Sequence, residues 1–222
     1  MIVPPRFNGP PDSANGGYTA GMLARYVSAA AGAVVTLHQP PPLATPLDVN
    51  ATGDTISVYD GEVLIATAAP VSAPLADTVP AVPWAEAMDA SMTYPGLTAH
   101  PFPTCFVCGP QRPPGDGLRI FPGRLPDGRT AAPWIVPEDI EPTLMWAALD
   151  CPGGWAVQVE SRPCVLGRIS ARVDALPAAG DGCVVVGALV GTAGRKAEVI
   201  STVYGADGSM LALSRATWIA LD

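Results

Sequence analysis

The sequence is poor in charge: Asp, Glu, Lys and Arg together make up 14% of its 222 residues. Positive charge is scarcest, with 12 Lys and Arg against 20 Asp and Glu, a single lysine (Lys196) and a formal net charge of −8. That balance argues against nucleic acid or an anionic membrane surface as a partner, since both select basic patches. No apolar run reaches the ~18 residues of a membrane helix. The opening Met1-Ile2-Val3-Pro4-Pro5-Arg6 lacks the charged and apolar regions of a secretory signal. The expected location is therefore cytoplasmic, with the five cysteines reduced. Histidine is limited to His38 and His100, and no Gly-x-Ser-x-Gly, phosphate loop or dinucleotide fingerprint occurs. Those absences remove the nucleophile-elbow hydrolases and the common nucleotide-binding classes.

Hydrophobic residues are plentiful at 49%, and 23 Gly with 26 Pro promise many turns. The length suits one large domain or two small ones. Tyr18, Met22, Tyr26 and Ala30 recur at four-residue spacing, which predicts a helix between an Asn15 N-cap and a Gly32 C-cap. Strand-like runs follow at 34–37, 47–51, 56–59 and 63–68, with Asp60-Gly61 as a hairpin turn. Residues 71–104 are crowded with proline and read as a semi-rigid connector, with one short helix at 84–92. A second helix is expected after Pro142, breaking or kinking just past Asp150 because Pro152 lacks an N–H and would clash with the carbonyl four residues back. Strands follow at 165–173, 183–190, 197–204 and 210–219, with Asp207-Gly208 turning into the last. Helix then antiparallel strands, twice over, is an α+β duplication. Asn15 to Asp60 is 21 residues shorter than Glu141 to Asp207, which suggests a missing or very short strand in the first half.

Several segments carry a family likeness. Cys105-Phe106-Val107-Cys108-Gly109-Pro110 with Gly117-Leu118-Arg119-Ile120-Phe121 resembles the hotdog-fold acyl-CoA thioesterases of the phenylacetyl-CoA thioesterase type. Met145-Trp146-Ala147-Ala148-Leu149-Asp150 resembles that family's central helix. Gly194-Arg195-Lys196 and Asp207-Gly208-Ser209-Met210-Leu211-Ala212 resemble its last strands, and Asn15-Gly16-Gly17 its helix start. The resemblance implies a tandem (double) hotdog: two helices each wrapped by an antiparallel sheet, forming an intramolecular pseudo-dimer. Residues 1–70 would be a shortened first unit, 71–104 the connector and 105–222 the second unit. It also implies a continuous sheet where the units meet, and further self-association into a homo-oligomer.

The family's chemistry pairs a backbone N–H at a Gly-Gly helix start with a carboxylate nine residues past the His/Asn position, supplied by the facing domain. A helix N-terminus has unpaired donors and a positive dipole end, suited to a polarised thioester oxygen. Here nine residues past Asn15 stands Ala24, while nine before Asp150 stands Glu141, followed by Pro142 and Thr143. The halves are complementary. Asn15, Gly16 and Gly17 of the first with Asp150 of the second would make one complete site, and the reciprocal site would be dead. The implied function is hydrolysis of an acyl-CoA thioester, with Asp150 as base or nucleophile and Arg195 and Lys196 on the coenzyme A phosphates. No metal or separate cofactor is implied, coenzyme A being part of the substrate.

Each of these residues also has a plainer reading. Asp150 could be a solvated helix-end carboxylate, Asn15-Gly16-Gly17 only a cap, and Arg195-Lys196 a solvated strand end. Cys105-x-x-Cys108 is favoured as packing. As half a zinc site it would need two more ligands from His100, Cys151, Cys164 or Cys183, and a redox pair or a Cys151 nucleophile is the remaining reading. The alternative function is a non-catalytic acyl-CoA binding protein. A hotdog hydratase ranks last, since it needs Asp and His acting together and His38 sits in no matching motif. Trp146 and Trp155 hint at a bulky apolar or aromatic acyl group.

Overall fold

The computed structural model describes residues 1–28 and 31–221. Ten strands form one antiparallel sheet in the order β2-β3-β4-β1-β7-β10-β9-β8-β6-β5. The first half contributes helix α1 (Gly16–Ala24) and β1 (Ala33–Leu37), β2 (Asp48–Thr52), β3 (Thr55–Asp60) and β4 (Val63–Pro70). Helix α2 (Trp84–Met92) and the short strands β5 (Gly123–Arg124) and β6 (Thr130–Ile135) follow. Helix α3 (Pro142–Trp155) then leads into β7 (Cys164–Val173), β8 (Gly182–Ala193), β9 (Lys196–Tyr204) and β10 (Met210–Ala220). The halves join where β1 pairs antiparallel with β7, from Ala33↔Ala171 to Thr36↔Arg168. On each side of this seam the order of the four strands that follow a helix is the same.

The 21-residue difference between the halves is not a lost strand. Four strands follow each helix, but α1 has 9 residues against 14 in α3, and β1 to β3 have 5, 5 and 6 against 10, 12 and 9 in β7 to β9. Strands β5 and β6 were not among the expected strands; β5 has only two residues, and Pro133 interrupts the strand-like run of β6. Beyond Ala131, β6 has no β5 partner, so the proline stands where one side of the ladder is open.

Helix α1 ends at Ala24 and does not run on to Gly32. Its buried face packs on α3, and past Ala24 the side chains of Arg25 and Tyr26 reach solvent, leaving a further turn only Val27 to bury. Tyr26 is 50% exposed, and Ala30 lies outside the described residues. Gly32 serves another purpose. At φ +106° it brings the chain so near β7 that a Cβ would lie 2.5 Å from Ala171 O.

Helix α3 does not break at Pro152; it carries the proline to Trp155. The sheet supplies the polar partners. Ser201 Oγ accepts from the Gly153 N–H at 3.0 Å, Thr130 Oγ1 donates to Pro152 O at 2.6 Å, and Ser214 Oγ lies 3.5 Å from Leu149 O. Gly187 of β8 gives the backbone room, since a Cβ there would overlap the Pro152 carbonyl. Gly187→Ala is expected to lower stability by about 1–3 kcal/mol, read as a lower urea midpoint at an unchanged m value. An unchanged midpoint would show that the helix end can shift freely.

Residues 71–104 are fastened to the sheet. Val79 donates its N–H to Thr202 Oγ1 at 2.9 Å and accepts from Tyr204 Oη at 2.7 Å. Ala87 and Ala90 of α2, with Val79 and Val82, pack over Leu125, Ala131, Val184 and Val186 as a second, smaller core. Among the described residues no helix is long and apolar enough to cross a membrane.

Candidate active site

Asn15 begins α1 in an extended conformation, and its Oδ1 accepts the Tyr18 N–H at 2.8 Å, a side-chain N-cap. Gly17 and Gly21, four residues apart, lie on one face of α1. A Cβ at Gly17 would stand 2.6 Å from Asp150 Cβ, and one at Gly21 2.8 Å from Thr143 Cα. The two glycines thus let the backbone of α1 lie against α3, whose Thr143, Trp146 and Asp150 form the opposing face. This close approach puts Asp150 at the N-terminus of a helix 133 residues away in the chain.

Asp150 is 2% exposed. Its Oδ2 accepts from the Gly17 N–H at 3.0 Å and from Asn15 Nδ2 at 3.2 Å, while its buried Oδ1 has no partner among the described residues. Burial pushes the carboxyl up to about 7, against the lowering effect of the Gly17 bond; a charge on Cys105 pushes the same way as burial, and the Asn15 bond opposes it. The solvated reading of Asp150 is therefore wrong. Asn15 does more than cap, because its two amide atoms serve α1 and α3 at once. The Gly17 N–H, expected as a donor to substrate, is taken by Asp150 in this state. Gly16 retains a first-turn position, where N–H groups have no partner within the helix.

A cavity of about 490 Å³ opens beside this pair. Asn15, Gly16 and Asp150 form one part of its wall, and Leu166, Trp155 and Trp218 give it a mainly apolar character. Of the two tryptophans singled out in the sequence, Trp155 lines the cavity, whereas Trp146 is buried at the helix contact and does not. Trp218, from β10, was missed; it is one large apolar residue among the many of that strand. His100 and the cysteines Cys105, Cys108 and Cys151 also line the cavity, and nothing local in the sequence ties Cys151 to the other two.

Arg195 and Lys196 are exposed at the β8–β9 hairpin and are not part of the cavity wall. Lys196 pairs in the sheet with Ile219, which does line the cavity. At the reciprocal position, Glu141 makes an exposed 3.5 Å ion pair with Arg25, and Thr143 packs on Gly21. His38 hydrogen-bonds Thr67 Oγ1 at 3.1 Å, and its ring meets no carboxylate among the described contacts.

No family model matches the sequence, and no curated protein matches it. Solved structures do. The TesB protein of Mycobacterium avium subspecies paratuberculosis is 12% identical, with a TM-score of 0.59, over 100% of this chain and 91% of its own. A Novosphingobium aromaticivorans protein provisionally assigned as a thioesterase is 14% identical, with a TM-score of 0.62, over 100% and 94%. A hotdog-fold protein of unknown function from Alicyclobacillus acidocaldarius is 12% identical, with a TM-score of 0.51, over 95% and 88%. The antiparallel ten-stranded sheet with its helices is therefore a hotdog-type fold, as the sequence motifs implied.

Proposed function

We propose that the protein hydrolyses an acyl-CoA thioester at a composite site built by two hotdog units in one chain. The observation that carries this reading is the buried Asp150 carboxylate, held by Asn15 and Gly17 at the N-terminus of a helix from the other half and set in the wall of an apolar cavity. The repeated strand order on either side of the β1/β7 seam supports reading residues 1–70 and 105–222 as the paired units, with 71–104 as the connector. The thioesterase name of the Novosphingobium aromaticivorans structure with this fold favours the same chemistry.

The steps follow from the positions. The acyl group lies along the apolar wall, its carbonyl oxygen toward the first-turn N–H of Gly16 and the positive end of α1. Asp150 accepts a proton from a water that attacks the carbonyl carbon. Collapse of the tetrahedral intermediate breaks the C–S bond, and the proton leaves with the coenzyme A sulfur. Water thus supplies hydroxyl to the acid and hydrogen to the thiol. Asn15 fixes the carboxylate by its Nδ2. Arg195 and Lys196, at the hairpin whose Lys196 neighbours the cavity-lining Ile219 in the sheet, meet the coenzyme A phosphates. The reciprocal pair, Glu141 and Thr143 with Ala24, offers no buried carboxylate and stays inactive.

A thiol-release assay over an acyl-CoA series tests the reading. Bulky apolar or aromatic acyl groups are expected to exceed acetyl-CoA in kcat/KM by at least about 10-fold, the discrimination a few buried methylenes provide. Binding of every chain without turnover of any would make the protein a carrier and overturn the proposal.

A further inference from the structure

Three thiols converge where the sequence showed only an isolated Cys105-x-x-Cys108. Cys151, one residue past Asp150 on α3, joins them, and the three Sγ atoms all lie within 4.8 Å of one another. All three are buried and unbridged, and all three line the cavity. The turn that presents the first two is tight. Gly109 donates its N–H to Cys105 O at 2.9 Å, and a Cβ on it would lie 2.5 Å from Cys105 N.

Donors already face the sulfurs: Asn15 Nδ2 lies 3.8 Å from Cys105 Sγ. His100 stands behind them. Phe102 donates its N–H to Nδ1 at 2.9 Å, which assigns the ring proton to Nε2, and Nε2 lies 3.3 Å from Cys108 Sγ. Held this way, the ring donates to sulfur and is not itself a ligand.

From this geometry we propose that Cys105, Cys108 and Cys151 bind a thiophilic metal ion of the Zn²⁺ type, with His100 as an outer hydrogen-bond donor and the fourth position open to the cavity. Thiolates select Zn²⁺ and Cu⁺ over hard, oxygen-loving ions. Zn–S bonds of about 2.3 Å in a tetrahedron place sulfurs about 3.8 Å apart, so the cluster needs only a small contraction. On binding, the ligating thiols release their protons to water, and the cavity provides the route for ion and protons. Three protein ligands and one free position is the arrangement of an accessible site and not of a closed structural one. The proposal is independent of the thioesterase reading.

Co²⁺ is the probe. The full chain, reduced and freed of metal by a chelator, is expected to take up one Co²⁺ with thiolate-to-cobalt charge-transfer bands and tetrahedral d–d bands, all bleached by Zn²⁺. Cys151→Ser is expected to weaken Co²⁺ binding by more than the roughly 10–100-fold that loss of an outer partner costs. Cys183→Ala, in β8 and away from the cluster, leaves binding unchanged. Should Cys151→Ser fail to fold, alkylation of the wild type with and without Zn²⁺, followed by peptide mapping, gives the same answer through selective protection of Cys105, Cys108 and Cys151. Absence of stoichiometric Co²⁺ bands, bands that persist in a folded Cys151→Ser, or protection at other cysteines overturns the proposal.

Discussion

Asp150→Asn is expected to reduce thioester hydrolysis by roughly 10²–10⁴-fold, the contribution of a positioned proton acceptor. The substitution keeps shape and removes chemistry. An amide oxygen can still accept from the Gly17 N–H and Asn15 Nδ2, which now hold Asp150 Oδ2 at 3.0 and 3.2 Å. What disappears is a basic oxygen beside the cavity. The isostere also removes a buried ionisable group, so no loss of fold is expected from it. The checks are kcat over the acyl-CoA series and thermal unfolding of both proteins. A folded variant whose kcat stays within a factor of about three would eliminate Asp150 as the base and leave the fold without its proposed chemistry.

Gly17→Ala is expected to damage stability and activity together. The added Cβ would lie 2.6 Å from Asp150 Cβ and 2.7 Å from Trp146 O, both across the helix contact. Overpacking of this kind costs about 1–3 kcal/mol, and it displaces the donor that orients Asp150, where misplacement by about 1 Å can cost 10²-fold in rate. Gly21→Ala separates the two effects. Its Cβ would meet Thr143 Cα at 2.8 Å, the same helix contact one turn further from the carboxylate. Similar urea midpoints for the two variants, with kcat depressed far more in Gly17→Ala, would show that the Gly17 amide positions the carboxylate. Equal loss of kcat in both would reduce Gly17 to a spacer between helices.

Much of the local structure was legible in the chain. The Asn15 cap, the Asp60-Gly61 and Asp207-Gly208 turns, and eight of the strands are set by residues within a few positions of one another, so their signals lie in short windows. Pro152 was misleading, and the strand around Pro133 went unread, for a common reason. Proline removes a donor, and whether that is tolerated depends on partners from elsewhere: Ser201 and Thr130 at the end of α3, an open ladder at the edge of β6. The length of α1 failed in the same way, because apolar spacing marks a possible helix but only a neighbouring surface decides where it stops.

The sequence by itself determined the order of the three α-helices and of eight strands, the acidic and cation-poor composition, and the candidate pair of an Asn-Gly-Gly helix start and a carboxylate. Tertiary structure alone decided that this pair meets, by joining β1 to β7 and laying two glycines of α1 against α3. It also decided that Cys151 belongs with Cys105 and Cys108, and that Trp218 rather than Trp146 shapes the cavity. The physical reason is range. Caps, turns and periodicity act through bonds between near neighbours, whereas a site is a set of distances between residues that only a completed sheet and its packed helices bring together.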